Sequence, residues 1–378
     1  MNISYVTTYN ARDINNWSGT GTYIAKSLEK QGNEIEYIGN LKSNRKLSGR
    51  LKGLYNSKFL KKGYLYDRTF YIADQYAKQV EKVLNVSTDL IFSPGTIPIA
   101  FIKSNKPKVF YTDATFAGML NFYELFTNLS DDTIRDGNVL EQTALETSKL
   151  CIYSSDWAAE TAIKNYHVDP KKIKVVPFGA NIEEHRSLSV VKDSIDSRNT
   201  QKCKLLFLGV DWVRKNGDLA MEVTAKLNES GLETELHVVG LDNLPLKHCP
   251  PFIHNHGFIS KSDEKGKNKI SDIISNSHFL ILPSIADCTP IVFPEANSFG
   301  VPCLTTNVGG IPTIIKNNVN GHMFPINNFT DECYIYILKL FNNYSEYREL
   351  SLSSFNEYEN RLNWNVAGKS IMKLIKDL

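Results

Sequence analysis

What this sequence lacks narrows its possibilities first. The 378 residues carry 43 Lys and Arg against 41 Asp and Glu, a formal net charge of +2. No global field of one sign argues for nucleic acid, and none is expected as a partner. No stretch approaches the ~20 consecutive apolar residues of a membrane-spanning helix. The opening MNISYVTTYN has neither the charged start nor the long apolar run of a secretory signal, and it reads as a first strand. The cysteines, Cys151, Cys203, Cys249, Cys288, Cys303 and Cys333, stand apart with no C-x-x-C pair. Several lie in apolar runs, which fits reduced thiols in a cytoplasm better than a disulfide framework. His248, Cys249, His254 and His256 crowd together, and alternation along FIHNHGFI puts His254 and His256 on one strand face. Their spacing matches no zinc motif, so no metal is expected there.

What is present is an alternation. ISYVTT, EIEYIG, DLIFSP, KVFYTD, LCIYSS and IKVVPF read as strands, with amphipathic helices such as YIAKSLEKQG and QYAKQVEKVL between them. Such alternation implies parallel sheets with crossover helices. Residues 183–202, EEHRSLSVVKDSIDSRNTQK, are polar and read as a linker. The alternation then restarts with CKLLFLG, ELHVVG, PFIHNHGFI, HFLILPS and VPCLTT. Two doubly wound α/β domains follow, and ligands of such sheets bind beyond the carboxyl ends of the strands.

The residues just after those strands therefore carry the argument. After the run 279–282, a loop holds Asp287, Pro294 fits the first turn of a helix, and Glu295 lies in that turn. Backbone amides and the positive helix end suit a phosphate, and the two carboxylates suit sugar hydroxyls. In KLLFLGVDWVRKNG the strand ends at Gly209, and Arg214 and Lys215 open the next helix. Basic residues there oppose the helix dipole, a mild penalty that a bound diphosphate would remove. In WSGTGTYIAKSLEK, Gly19, Thr20 and Gly21 follow the first strand. The glycines allow close backbone approach, equally consistent with a plain turn; Ile24 breaks the dinucleotide fingerprint. Asp113, within YTDATF, either faces the ligand crevice or caps the following helix.

Taken in this order, the motifs resemble the retaining glycosyltransferases of family 4. That family places an Arg/Lys pair after the first strand of its C-terminal domain, here Arg214 and Lys215. Its E-x7-E motif appears as Asp287 and Glu295, followed by FGVPCLTTNVGGIP. SSDWAAETAIKNYHVDPKKIKVVPFGANI resembles the family's approach to the interdomain linker. The resemblance implies the GT-B fold: two Rossmann-like, doubly wound parallel-sheet domains facing across a cleft. The expected domains are 1–185 on the acceptor side and 200–360 for the donor, with the C-terminal helix 361–378 packing back on the first. It implies that Glu295 binds ribose hydroxyls and that Asp287 sits beside the transferred sugar. Gly209 and the segment Thr289, Pro290, Ile291 and Val292 would contact the donor, with Gly19–Gly21 lying over it. Arg214 and Lys215 would stabilise the leaving diphosphate, and Asp113 would orient an acceptor hydroxyl or touch the sugar. No D-x-D triplet occurs, the metal-holding signature of the other major glycosyltransferase fold.

The expected protein is a metal-independent hexosyltransferase of bacterial surface polysaccharide or glycoconjugate synthesis. Its substrates would be a nucleotide sugar, UDP-linked or else GDP-linked, and a saccharide or lipid-linked acceptor, with no cofactor. A nucleotide-sugar 2-epimerase of the same fold and a non-catalytic sugar-binding protein are the alternatives. One region stands apart. Residues 42–68 carry nine basic residues and one acid, among them Arg45, Lys46, Arg50, Lys52, Lys61 and Lys62. Interleaved leucines, tyrosines and Phe59 suit an anionic membrane surface, placing the enzyme peripherally on the inner face of the plasma membrane. Acceptor phosphate binding or a plain solvated face are the other readings.

Overall fold

The computed structural model describes residues 1–182 and 186–378. The chain forms two compact units: residues 1–177 with 367–378, and residues 178–366.

Unit 1 is built on a six-stranded sheet of β1 (Asn2–Val6), β2 (Glu34–Ile38), β3 (Leu90–Ser93), β4 (Lys108–Thr112), β5 (Leu150–Tyr153) and β6 (Ile173–Val175). Its helices are α1 (Thr20–Glu29), α2 (Leu47–Tyr55), α3 (Phe70–Val83), α4 (Phe116–Met119), α5 (Asp131–Thr147) and α6 (Asp156–Asn165). Unit 2 has a second six-stranded sheet: β7 (Cys203–Leu208), β8 (Thr234–Val239), β9 (Ile253–Asn255), β10 (Phe279–Leu282), β11 (Cys303–Thr306) and β12 (Gly321–Phe324). Its helices are α7 (Leu188–Asp196), α8 (Gly217–Glu229), α9 (Glu264–Ser275), α10 (Val292–Asn297), α11 (Ile311–Ile314), α12 (Phe329–Asn342) and α13 (Tyr344–Arg361). A last helix, α14 (Trp364–Lys376), begins in unit 2 and ends in unit 1.

All strand pairs are parallel. The sheet orders are β2-β1-β3-β4-β5-β6 and β12-β11-β10-β7-β8-β9, both doubly wound. Central strands such as LIFS, LCIY and FLIL are buried at every position, because helices cover both faces of a parallel sheet. The edge strands β2 and β9 alternate or face water instead. Each unit has its own apolar core, with Ile91, Phe110 and Tyr153 in unit 1 and Leu206, Phe207, Leu280 and Phe293 in unit 2. All six cysteines are free thiols, five of them buried.

The stretch expected as a linker is only partly one. Residues 183–185 lie outside the described residues, but Leu188–Asp196 forms α7. Val191 and Ile195, one turn apart, bury against Phe355 and Tyr358. Burying side chains of this size contributes about 1.5–3 kcal/mol each, enough to hold a short helix that is otherwise polar. Buried Arg198 then satisfies the carbonyls of Ser275, Phe299 and Gly300 and donates to the Tyr347 hydroxyl. Beyond residue 366, Asn33 Nδ2 donates to Met372 Sδ at 3.3 Å. A Cβ at Gly368 would stand 2.6 Å from the Ser27 carbonyl, so only glycine lets α14 approach α1 this closely.

Candidate active site

Strand order fixes where a ligand site belongs. The order reverses between β1 and β3 in unit 1 and between β7 and β10 in unit 2. At such a point the loops leave the carboxyl ends toward opposite faces and open a crevice. The helices that follow β1, β7 and β10, namely α1, α8 and α10, have no side-chain cap. By contrast, Ser130, Ser155 and Asp263 cap α5, α6 and α9. A helix start without such a cap keeps its first N–H groups for other acceptors.

In unit 2, β7 runs into a turn over residues 211–216. Asp211 accepts from the Arg214 backbone N–H at 3.0 Å and from Arg214 Nε at 3.2 Å. Asn216 adopts a left-handed conformation (φ 55°), and α8 starts only at Gly217. Arg214 and Lys215 therefore lie in the turn before the helix and not in its first turn as expected. The dipole penalty read from the sequence is correspondingly reduced. A Cβ at Gly217 would meet the Trp212 ring at 2.3 Å, so the tight turn needs glycine there.

The loop after β10 is tied to this turn. Ile285 N–H donates to the Arg214 carbonyl at 2.9 Å, and Gly310 N–H to the Asp287 carbonyl at 3.0 Å. Thr305 Oγ1 donates to the Leu282 carbonyl at 2.7 Å, and Thr306 Oγ1 to that of Ser284. These bonds bring the sequence-named residues together. Lys215 Nζ pairs with Asp287 Oδ2, at 7% and 6% exposure. Arg214 Nη1 lies 3.7 Å from the same oxygen and donates to the Ala286 carbonyl at 2.9 Å. A Cβ at Gly209 would stand 3.3 Å from Lys215 Cγ, so Gly209 leaves the lysine stem its path.

Glu295 follows in the first turn of α10 and is 1% exposed. Lys261 Nζ, from the loop between β9 and α9, lies 2.6 Å from Glu295 Oε1. Oε2 is buried with no hydrogen-bond partner. Burial pushes this carboxyl above its ordinary pKa, while Lys261 pulls it back. An unsatisfied buried acceptor costs about 1–3 kcal/mol, more when charged, so a hydroxyl donor bound here recovers energy. Helix α10 has only six residues, which leaves it a smaller dipole than the sequence argument assumed. In the segment Thr289–Val292, Pro290 has no N–H and contributes shape alone. Val210, Val213, Phe258 and Ile285 are exposed apolar side chains following β7, β9 and β10.

Unit 1 holds the other named residues. Trp17, Ser18 and Gly19 have consecutive positive φ values of 48°, 53° and 82°. Backbone held in this way by surrounding structure is concentrated at functional sites. The space beside Gly21 is taken by Tyr9, whose hydroxyl would lie 2.3 Å from a Cβ there. The close approach read from Gly21 thus serves a side chain of the same unit. The Tyr9 hydroxyl is buried without a partner, and burial, then Asp113, push its pKa up to about 12. The cap of α4 is Thr115, which accepts from Gly118 N–H at 3.0 Å, so capping is not the role of Asp113. Thr20 begins α1 and is buried.

The sequence reading missed Lys261 and Tyr9. Both follow strands, β9 and β1, so the rule that singled out Arg214 applied to them too. GFISKSDEK and VTTYN carry no motif, and only the fold shows what they touch. His254 and His256 do share a face, together with Glu235 and His237. His237 Nδ1 and His256 Nε2 are 2.9 Å apart, and Glu235 lies 3.2 Å from His237 and 3.3 Å from His254.

The basic segment forms α2 and a π-helical turn over Asn56–Leu60. Leu47, Leu51, Leu54, Tyr55, Phe59 and Leu60 are all exposed, Phe59 at 76% and Leu47 at 72%. Gly53 and Asn56 are the buried residues. Lys52 pairs with Asp132 at 2.6 Å and Lys62 with Asp131 at 2.8 Å. Arg45 and Lys46 lie over the Tyr66 and Tyr71 rings, at 4.3 Å and 3.9 Å. Arg50, Lys58 and Lys61 have no ion pair among the described residues.

The fold is that of GT-B glycosyltransferases. Across the whole chain the structure is similar to sucrose-phosphate synthase from Thermosynechococcus elongatus, with TM-score 0.70, 11% identity, and 100% and 98% of the two chains covered. Residues 202–343 match the family described as glycosyl transferases group 1, a span that includes Arg214, Lys215, Lys261, Asp287 and Glu295. The chain is 25% identical over 188 residues to the UDP-Gal:alpha-D-GlcNAc-diphosphoundecaprenol alpha-1,3-galactosyltransferase of Escherichia coli, covering 48% of each. It is 30% identical over 157 residues to the lipopolysaccharide glucosyltransferase WaaG of Escherichia coli strain K12, covering 39% of this chain and 41% of that protein. The chain thus matches less than half the length of these curated relatives.

Proposed function

We propose that the protein is a retaining glycosyltransferase that moves a sugar from a nucleotide diphosphate sugar to an acceptor hydroxyl. The observation that carries this reading is the group of Arg214, Lys215, Asp287 and Glu295 at the switch point of unit 2. Two cations there suit a diphosphate, and a buried carboxylate with an unmatched oxygen suits a vicinal diol such as ribose. In the reaction, the bond between the anomeric carbon and the diphosphate oxygen breaks. The acceptor oxygen bonds to that carbon from the same face, and its proton passes to the leaving phosphate. Arg214 and Lys215 stabilise the charge growing on the diphosphate, a kind of interaction that contributes strongly to catalysis. To do so, Lys215 shares or exchanges its contact with Asp287. Asp287 is then beside the transferred sugar, and Phe258 and its apolar neighbours offer faces for the flat or apolar parts of the donor. In unit 1, Asp113 and the strained loop Trp17–Gly19 serve the acceptor.

A thermal-shift panel of UDP-, GDP-, ADP- and dTDP-sugars tests this reading, with a UDP-sugar expected to bind best. A ligand at 100 times its Kd adds about 2.7 kcal/mol of stability. No stabilisation by any of the four overturns the donor site. Because protein cations are at hand for the diphosphate, transfer is expected to survive EDTA with little loss. Activity that vanishes with EDTA and returns only with manganese or magnesium contradicts that expectation.

Asp287 is one methylene shorter than the first Glu of the family's motif, and its carboxylate is already held by Lys215. Asp287→Glu is therefore expected to change relative rates among epimeric donor sugars more than nucleotide affinity. Unchanged donor preference removes Asp287 from sugar selection.

The exposed apolar face of α2, flanked by basic residues, supports a lipid-linked acceptor met at an anionic membrane surface. The name of the E. coli galactosyltransferase, with its diphosphoundecaprenol acceptor, agrees with that reading. No helix among the described residues is long and apolar enough to cross a membrane, so attachment through α2 would be peripheral.

A further inference from the structure

We infer that Lys261 is a positioning residue of the donor site, holding the buried Glu295 charged through one oxygen so that the other is open to a vicinal diol. The inference rests on the donor-site reading above and assigns a residue outside the recognised motifs.

Three observations combine. Glu295 is almost wholly inside the protein, where a charged carboxylate is disfavoured unless paired. Lys261 meets Oε1 at 2.6 Å, and Oε2 has no partner although it is buried. A neutral carboxyl would present one donor and a weaker acceptor, whereas two ribose hydroxyls need an ionised acceptor. Lys261 comes from the β9–α9 loop and is partly exposed, so its own desolvation is incomplete while that of Glu295 is not.

Other charged groups near α10 are engaged elsewhere. Asp287 is paired with Lys215 and lies beside Arg214. On α13, Tyr347 meets Arg198, and Glu357 meets Arg361 and Lys316. The Cys303 thiol of β11 is raised by burial and lies against Asn297. Among the described residues, Lys261 is the charged side chain that acts on Glu295.

The sign of the consequence follows. Burial raises the pKa of Glu295 and Lys261 lowers it. Removing Lys261 raises it further, so the ionised fraction falls at neutral pH and recovers as pH rises. The test compares binding of UDP with 2′,3′-dideoxy-UDP by calorimetry from pH 6 to 9 (or the GDP pair, if GDP stabilises the protein better). The wild type is expected to prefer the diol form throughout. Lys261→Met is expected to lose about tenfold or more of that preference near pH 7 and to regain it toward the alkaline end. Lys261→Arg is expected to keep it. A ligand-free double-mutant cycle keeps the question open to refutation even if binding is weak. Lys261→Met should lower Tm in the wild type but not in Glu295→Gln.

If the wild type binds both nucleotides equally, the diol role of Glu295 is wrong. If the wild type discriminates and Lys261→Met matches it at every pH, or lowers Tm equally in both backgrounds, Lys261 has no positioning role and the donor reading stands.

Discussion

Lys215→Ala and Arg214→Ala each lower turnover by about 100-fold or more, the loss typical of removing one group that stabilises transition-state charge. The lysine variant has a second consequence. Lys215 is the close partner of Asp287 in a nearly buried pair, and removing one member of such a pair costs about 3–5 kcal/mol. Arg214 then remains, 3.7 Å from the carboxylate. The arginine is about a quarter exposed and also bonded to Asp211 and to the Ala286 carbonyl, so its loss weakens the loop less. Catalytic and structural contributions separate when the double variant Lys215→Ala/Asp287→Asn is compared with Asp287→Asn alone, because Asp287 is itself placed beside the transferred sugar. Neutralising the aspartate removes the uncompensated buried charge, so Tm recovers toward the wild type. The diphosphate still lacks its cation, so turnover stays well below that of Asp287→Asn. Steady-state kinetics beside thermal unfolding checks this directly. If the double variant turns over as fast as Asp287→Asn, Lys215 acts only by supporting the loop. Wild-type kinetics in a folded Arg214→Ala variant likewise removes that residue from the reaction.

The legibility of this chain follows from which physical signals are local. Apolar runs such as FLIL and KVFYT mark strands buried on both faces, and all eleven strand segments read from the sequence are found. The twelfth strand, Gly321–Phe324, escaped because GHMF has a glycine start, a histidine and no β-branched residue. It is a strand through pairing with β11, a non-local fact. Helix α7 escaped for a related reason. Two anchors, Val191 and Ile195, stabilise it through α13, more than 150 positions away. The same contrast holds at the site. Arg214, Lys215, Asp287 and Glu295 were singled out in the sequence because motif order and strand ends agree. Lys261 and Tyr9 were not, because each matters only through the buried oxygen or the glycine it meets.

The proposed docking of α2 on an anionic membrane gives the other large expected effect. Leu47, Leu51, Leu54 and Tyr55 recur at the i, i+4, i+7, i+8 spacing of one helix face, continued by Phe59 and Leu60 in the π-helical turn. In a water-facing helix that stripe normally turns to the core, yet here every member is exposed. Lys52 and Lys62 are matched by Asp132 and Asp131, so their fields are largely cancelled nearby. Arg50, Lys58 and Lys61 are not matched among the described residues, and each contributes about 1 kcal/mol beside an anionic surface. Neutralising all three to Gln is therefore expected to weaken partition onto anionic liposomes by roughly 100-fold at low salt. The wild-type advantage should shrink at high salt, because the field fades within a Debye length of about 8 Å at physiological ionic strength. The charge-balanced variant Lys52→Gln/Lys62→Gln/Asp131→Asn/Asp132→Asn, which removes both members of each pair, should weaken partition far less. Leu51→Ser/Phe59→Ser should weaken it on anionic liposomes with little change in salt dependence, since it removes apolar insertion and leaves the charges. Co-sedimentation with anionic and neutral liposomes at two salt concentrations reads all four cases. Equal losses from removing the ion pairs and from neutralising the unpaired cations would mean that the local pairing does not govern the field. Wild type that ignores anionic liposomes would make the stripe a surface for something other than lipid, and the acceptor need not then be lipid-linked.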